Sequence, residues 1–366
     1  MSRPSRCLGA WRVQARAVAL SLACLLAACD AGPSPEDVHA RLMRKLPPTV
    51  EDRAGWARDI QAAFAAQDLD PDDANLCAVL AVVEQESTYR ADPPVPGLGR
   101  IARAEIDRRA ARAHVPGLAV DAALRLRSAD GRSYGERIAG VRTEQELSAL
   151  FEEMIHRVPL GARLLRGLNP VRTGGPMQVR IDFAQAHARG YPYPVDGSIR
   201  HEVFSRRGGL YFGIKHLLGY PASYRRPLYR FADFNAGWYA SRNAAFQRAA
   251  SLAAGVPLAF DGDLLAPDAP MDRPGATEAA LRTLAGRLGM DAKAIRAALQ
   301  DERRHAFEGS ALYRQVFALG ERAAGGPLAR ARVPQIALDS PKITRPLTTA
   351  WFADRVEQRW KRCMAR

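Results

Sequence analysis

The sequence predicts a mainly α-helical protein. Apolar residues recur at three- and four-residue spacing through most of the chain, and the strict alternation of a half-buried strand is scarce. Pro and Gly clusters stand between the periodic segments, as connections would. Taken in order, Pro33 to Pro48 reads as a linker that becomes a short helix, and helices are expected over 52–66, 72–89, 101–113, 143–157, 208–218, 232–253, 276–288, 292–302 and 348–363. Turn chemistry separates them at Asp92-Pro93-Pro94-Val95-Pro96-Gly97, Asn169-Pro170, Gly174-Gly175-Pro176, Tyr191-Pro192-Tyr193-Pro194, Val256-Pro257 and Gly325-Gly326-Pro327. No internal repeat of solenoid length is present.

With 366 residues, 47% of them hydrophobic and 25% charged, the chain is long and apolar enough to build a core, which excludes wholesale disorder and collagen. The formal charge of +14 comes almost entirely from arginine, since only five of the 53 basic residues are lysine. No zinc-finger spacing, aromatic nucleic-acid motif or basic heptad accompanies it, so no nucleic-acid partner is expected. The charge is uneven: residues 30–150 carry 16 basic and 20 acidic residues, a net of −4, whereas 151–366 carry 33 and 19, a net of +14. Such an excess favours anionic partners, among them peptidoglycan carboxylates and lipid headgroups.

Residues 1–28 have the form of a secretory leader, with Arg3, Arg6, Arg12 and Arg16 ahead of the apolar run Ala17 to Ala28. The run ends Leu26-Ala27-Ala28-Cys29, which resembles a bacterial lipobox. That resemblance implies cleavage before Cys29, acylation of its thiol, and a lipid anchor in the cell envelope; a plain secretory signal cut near Ala28 is the alternative. Cys7 and Cys24 would leave with the leader and Cys29 would be acylated, so Cys77 and Cys363 remain as a candidate disulfide in an oxidising compartment. Two unrelated thiols are the other reading of that pair.

Three short motifs bear on chemistry. Val82-Val83-Glu84-Gln85-Glu86-Ser87 closes a helix whose apolar face is set by Leu76, Val79, Leu80, Val82 and Val83; at 100° per residue Glu86 falls within about 20° of Val79 and points inward, while Glu84 projects off that face. A carboxyl group so placed is partly desolvated, which favours its protonated form and suits a general acid; its ordinary reading is a structural ion-pair partner. In Gly174-Gly175-Pro176-Met177-Gln178-Val179 the glycines permit close backbone approach and Gln178 offers both donor and acceptor, or the loop simply caps the helix bearing Phe183 and Ala184. Phe231-Ala232-Asp233-Phe234-Asn235-Ala236-Gly237 follows a helix carrying Gly213 and Leu217-Leu218, and read alone it is an amphipathic helix pair. Asp233 is expected to pair with a neighbouring arginine. Arg206-Arg207 before two glycines reads as a solvated charge pair or an anion-binding turn.

In this order the motifs resemble those of the soluble-lytic-transglycosylase branch of the lysozyme-like superfamily: Glu86-Ser87, then Gly175-Pro176-Met177-Gln178, then Gly213 with Leu217-Leu218, then Phe234-Asn235-Ala236-Gly237. Over nearly its whole length the chain is also similar to the YaiW-like bacterial lipoproteins, through Arg172 to Val179, Phe204 to Leu210 and Asp233 to Asn243. The first resemblance implies a lysozyme-like α-rich core over 49–255, with an insertion near 92–170 and a C-terminal helical extension over 256–366 packing on it. It implies that Glu86 protonates the glycosidic oxygen of peptidoglycan and then deprotonates the muramyl C6 hydroxyl, giving 1,6-anhydromuramyl ends with one carboxylate. Ser87, Gly175, Met177, Gln178, Phe234, Asn235 and Tyr239 would form the substrate site.

Two departures stand out. Phe234 replaces the motif tyrosine, leaving Tyr239, Tyr229 or Tyr193 to supply a phenol, and Pro176 replaces a leucine. The lost tyrosine hydroxyl, with the 89-residue interval from Glu86 to Gly175 that puts an insertion beside or over the cleft, favours the alternative: a non-catalytic lipoprotein that binds glycan or peptide in the same cleft, or assists envelope transport with a protein partner. No cofactor is expected, and no metal, since the histidines are scattered and lack His-Glu-x-x-His or zinc spacing. Asp30 after the acceptor cysteine is an inner-membrane retention signal in enteric bacteria, whereas the YaiW-like resemblance implies the outer membrane, which is favoured.

Overall fold

In the computed structural model, which describes residues 33–157, 169–338 and 345–366, short polar side chains fix the starts of the first three helices. Ser34 forms a reciprocal capping box with Asp37 ahead of α1 (Pro35–Lys45), and Asp52 accepts from the Gly55 amide ahead of α2 (Arg53–Ala66). Asp72 accepts from the Asn75 amide at 2.6 Å to begin α3 (Asp73–Glu86). Four helices follow, α4 (Leu98–Arg112), α5 (Gly117–Arg125), α6 (Tyr134–Gly140) and α7 (Glu144–Arg157), packed on one another in sequence order. A two-residue hairpin, β1 (Thr173–Gly174) and β2 (Val179–Arg180), pairs Thr173 with Arg180 and Gly174 with Val179 in antiparallel register.

After the hairpin come α8 (Ile181–Ala186), α9 (Ile199–Phe204), α10 (Arg206–Leu218), α11 (Pro227–Ala236) and α12 (Ala240–Ala254). The single helix expected over 232–253 is therefore two. Gly237, at φ +111°, and Tyr239, at φ +66°, break the helical backbone between α11 and α12. The chain continues as α13 (Ala276–Thr283), α14 (Ala285–Leu288), α15 (Ala292–Leu299), a 3₁₀ turn (His305–Gly309) and α16 (Ala311–Ala324). It ends with a second small hairpin, β3 (Ala337–Leu338) and β4 (Leu347–Thr348), and α17 (Thr349–Met364).

Buried apolar side chains fall into two clusters. The first unites α1 to α11 with α17, running from Val38 to Phe234 and resuming at Phe352 to Cys363. The second is contiguous in sequence, from Ala245 to Leu319, with α12 and α16 at its centre. The two clusters meet at the break between α11 and α12, and α17 belongs to the first. Residues 33–48 also differ from a spacer, because Val38, Leu42 and Leu46 are buried in that cluster. The leader and Cys29 lie outside the described residues. No helix among the described residues is long and apolar enough to cross a membrane.

Candidate functional site

Three segments that carry the sequence motifs all pack against α10: the catalytic-candidate helix α3, the first hairpin, and α11. Its sequence explains why. Gly209 and Gly213 lie one turn apart on α10, and a Cβ on either would come within 3 Å of the hairpin loop, at Pro176 for the first and at Met177 for the second. Bare backbone on one helix stripe therefore seats the loop directly on the helix. Gly175 turns that loop at φ +73°, with Val203's carbonyl oxygen where a side chain would stand.

This seating sorts the loop residues. Met177 is completely buried against Gly213, so it supports the loop from behind and cannot line an open groove as expected. Gln178 is half-buried; its Nε2 donates to the Gly175 carbonyl and its Oε1 accepts from the Thr173 hydroxyl, both at 3.3 Å. Those bonds are long, so they hold the amide within the hairpin without consuming its full capacity.

Helix α3 is buried on all sides from Leu76 to Val83, because α1, α10 and α17 surround it. Its two ends approach solvent, and in the last turn Glu84, Gln85 and Glu86 are half-buried. Glu84 faces α17, 3.0 Å from Arg362 Nη2 and 3.5 Å from Arg359 Nε. Ser87 is buried and ends the helix, its hydroxyl donating to the Val83 carbonyl at 3.0 Å. It thus steadies the helix end that carries Glu86. Thr88 and Tyr89 then adopt left-handed backbone, and the Tyr89 hydroxyl donates back to the Leu80 carbonyl at 3.1 Å.

The α11–α12 elbow is organised around Asp233, which is fully buried. It makes no ion pair with an arginine, contrary to the expectation from sequence. Its Oδ2 accepts from the Tyr224 hydroxyl at 2.7 Å, the Tyr220 hydroxyl at 3.0 Å and the Tyr239 amide at 3.1 Å, and its Oδ1 accepts from the Ser241 amide at 2.6 Å. Burial pushes its pKa up to about 6, against the pull of those hydrogen bonds. The carboxylate thereby ties the sharp break at Gly237 to the two tyrosines before α11.

Tyr239 is buried too, its hydroxyl donating to the Pro221 carbonyl at 2.9 Å, so it does not supply the phenol that Phe234 lacks. Arg242 lies behind it, with its guanidinium 4.2 Å from the Tyr239 ring centre, and donates to the Arg304 carbonyl at 2.9 Å. The long motif from Asp233 to Asn243 is therefore chiefly a joint between the two clusters. Phe234 is nearly buried, between His216 and Phe352, with ring centres 5.0 and 6.5 Å away. His216 Nε2 donates to the Phe234 carbonyl at 3.0 Å, and burial lowers its pKa to about 4, so the ring is neutral at pH 7. Asn235 is exposed, and its Oδ1 accepts from the Thr349 hydroxyl at 2.9 Å.

Sequence reasoning missed the part played by α17. This helix runs against α11, where Thr349 meets Asn235 and Glu357 meets Arg226 at 2.9 Å, and against α3, where the Trp360 indole donates to the Ala74 carbonyl at 3.0 Å. Cys77 and Cys363 are joined in a disulfide, with Cα atoms 5.5 Å apart. This is the pairing expected from the two cysteines that remain after the leader. The dyad Arg206-Arg207 is neither a solvated pair nor an anion-binding turn: Arg206 bonds Asp59 at 2.6 Å and Asp52 at 2.7 Å, and Arg207 bonds Glu202 at 3.0 Å.

No solved structure matches the chain at a significant level. A curated relative, "Uncharacterized protein YaiW" of Escherichia coli (strain K12), is 56% identical over 328 residues, covering 90% of this chain and 90% of the relative. Residues 49–366 match the family described as "Protein of unknown function (DUF1615)". The chain, mainly helical over its described residues and bent at the buried Asp233 elbow, belongs to the DUF1615 family.

Proposed function

We propose that this protein is a cell-envelope lipoprotein, anchored through Cys29 to the outer membrane, whose α3–hairpin–α11 region is a lysozyme-like site for peptidoglycan glycan strands. Glu86 acts there as the single acid and base, protonating the departing glycosidic oxygen and then taking the proton of the muramyl C6 hydroxyl as that oxygen closes the 1,6-anhydro ring. Gln178 and Asn235 hold the saccharide; Ser87, Met177 and Phe234 support them from beneath.

The observation that carries this reading is the shared seat on α10. Each motif-bearing segment packs on that helix, and the polar members Glu86, Gln178 and Asn235 keep solvent access while Met177, Ser87 and Phe234 are buried behind them. A second reading, glycan or peptide binding without cleavage, is favoured by one specific contact. The phenyl ring of Phe234, which lacks the motif hydroxyl, is stacked toward Phe352 of α17, and that helix is fixed by the disulfide to α3.

Purified sacculi incubated with the full chain and with Glu86→Gln separate the two. Anhydromuropeptide release by the native chain and its loss in the variant support cleavage. Sacculus binding by both without release supports the binding reading, and neither binding nor release removes the glycan site altogether.

A further inference from the structure

The corner between α4 and α5 differs from the rest of the surface. Residues 111–119 are exposed without interruption, so this elbow projects from the body of the molecule. Helix α5 turns Val120 and Leu124 inward, yet its other side is apolar as well: Leu118 is 84% exposed, with Val115 at 43% and Leu126 at 51% beside it. Ala119, Ala122 and Ala123 extend that exposed side. A helix with two apolar faces and one of them in water is a surface awaiting a second phase.

Its charge says which phase. Residues 98–127 contain seven arginines against three acids, a net of +4, inside a half of the chain whose net charge is −4. All three acids are already engaged, Glu105 by Arg108 and Arg109, and Asp107 and Asp121 by Arg103. Among the described residues no ion pair joins Arg112, Arg125 or Arg127 to a carboxylate; all three are exposed and flank the apolar corner in sequence, and Arg127 donates to the Gly131 carbonyl at 2.6 Å.

We propose that the α4–α5 corner docks on an anionic lipid bilayer, with Val115 and Leu118 entering below the headgroups while Arg112, Arg125 and Arg127 lie at the phosphates. Apolar side chains ringed by arginine match the headgroup boundary, where hydrocarbon lies under negative charge. A glycan strand has no hydrocarbon layer to receive Leu118. A convex corner would also need a matching hollow on a protein partner, whereas a bilayer deforms to admit it. The inference does not depend on the glycan site.

Amide hydrogen exchange of the full chain tests it on vesicles of phosphatidylglycerol with phosphatidylethanolamine, and on phosphatidylcholine vesicles. The amides of 112–124 are expected to slow by about fivefold or more on the anionic vesicles only, and to recover in high salt. Leu118→Glu abolishes the slowing, and Val256→Glu, a change at another exposed apolar residue, preserves it. Absence of slowing on anionic vesicles, equal slowing on phosphatidylcholine, or slowing retained in Leu118→Glu overturns the proposal. Slowing that appears without vesicles and grows with protein concentration also overturns it, in favour of a second copy of the chain.

Discussion

The hydroxyl of Thr349, the first residue of α17, donates to the side-chain carbonyl of Asn235, the penultimate residue of α11, across 114 positions of sequence. The residue that the glycan reading places against substrate is thus also where the final helix begins. Thr349 is fully buried and Asn235 is exposed, so Thr349→Val removes the donor while leaving the amide free to bond water. Such a change is expected to lower stability by only about 1 kcal/mol, read from the urea midpoint. A loss of several kcal/mol would mean that this bond organises more than the start of α17.

The Cys77–Cys363 disulfide encloses most of the folded chain. Cys77→Ser, Cys363→Ser and the double variant are each expected to lose about 3–5 kcal/mol, with no further loss in the double. Denaturation of oxidised and reduced native protein should show the same difference. Equal midpoints with and without reductant would contradict it.

Contact between Met177 and Gly213 predicts intolerance of a single methyl. Gly213→Ala places a carbon into the Met177 side chain and is expected to destabilise by about 1–3 kcal/mol, despite the better helix propensity of alanine. Adding Met177→Ala should bring no recovery larger than the cost of its own cavity. A stabilised Gly213→Ala protein would show that the loop does not sit on α10 as described.

The buried Asp233 carboxyl sets a pH dependence with a definite sign. Its folded pKa, about 6, lies above the ordinary carboxylate value, so the folded state holds the proton more tightly than the unfolded chain. This stabilising contribution is complete below about pH 4 and is lost as pH rises through 6, amounting to roughly 3 kcal/mol in all. Neutral, buried His216 works in the opposite direction: with a folded pKa of about 4, its contribution is present at pH 7 and is lost as pH falls from 6.5 through 4. Asp233→Asn should remove the first component and leave the second, so its midpoint should fall more steeply on acidification than that of the native protein. Parallel profiles for the two proteins would contradict the assignment.

Two arginines on Glu84 carry a smaller expectation. The carboxylate, Arg359 and Arg362 retain water contact, so Glu84→Gln should cost less than about 1 kcal/mol by chemical denaturation. A larger loss would identify the pair as the anchor of α17 in place of the disulfide.

Helical class and most helix positions were legible because they depend on local periodicity: α2, α3, α7 and α10 begin and end within a few residues of expectation. Helix α16 falls outside the expected elements, although Leu312, Val316 and Leu319 carry the required spacing. What local reasoning cannot supply is tertiary choice. Asp233 has arginines near it in sequence, yet two tyrosines and two backbone amides surround it, because the break at Gly237 folds α12 back over α11. By residue type Met177 reads as a lining residue, yet Gly213, 36 positions later, receives it. The glycine spacing on α10 held that information, but only the packed hairpin gives it meaning.

The return of α17 to the opening helices fixes an order of assembly. The cluster spanning Ala245 to Leu319 draws on one uninterrupted stretch and can condense as soon as that stretch is available. Its neighbour requires Phe352, Val356 and Cys363, which leave the ribosome only after that stretch. A growing polypeptide therefore completes its middle before its beginning, and shortening it by even a few turns at the tail leaves the earliest-made helices without their last wall.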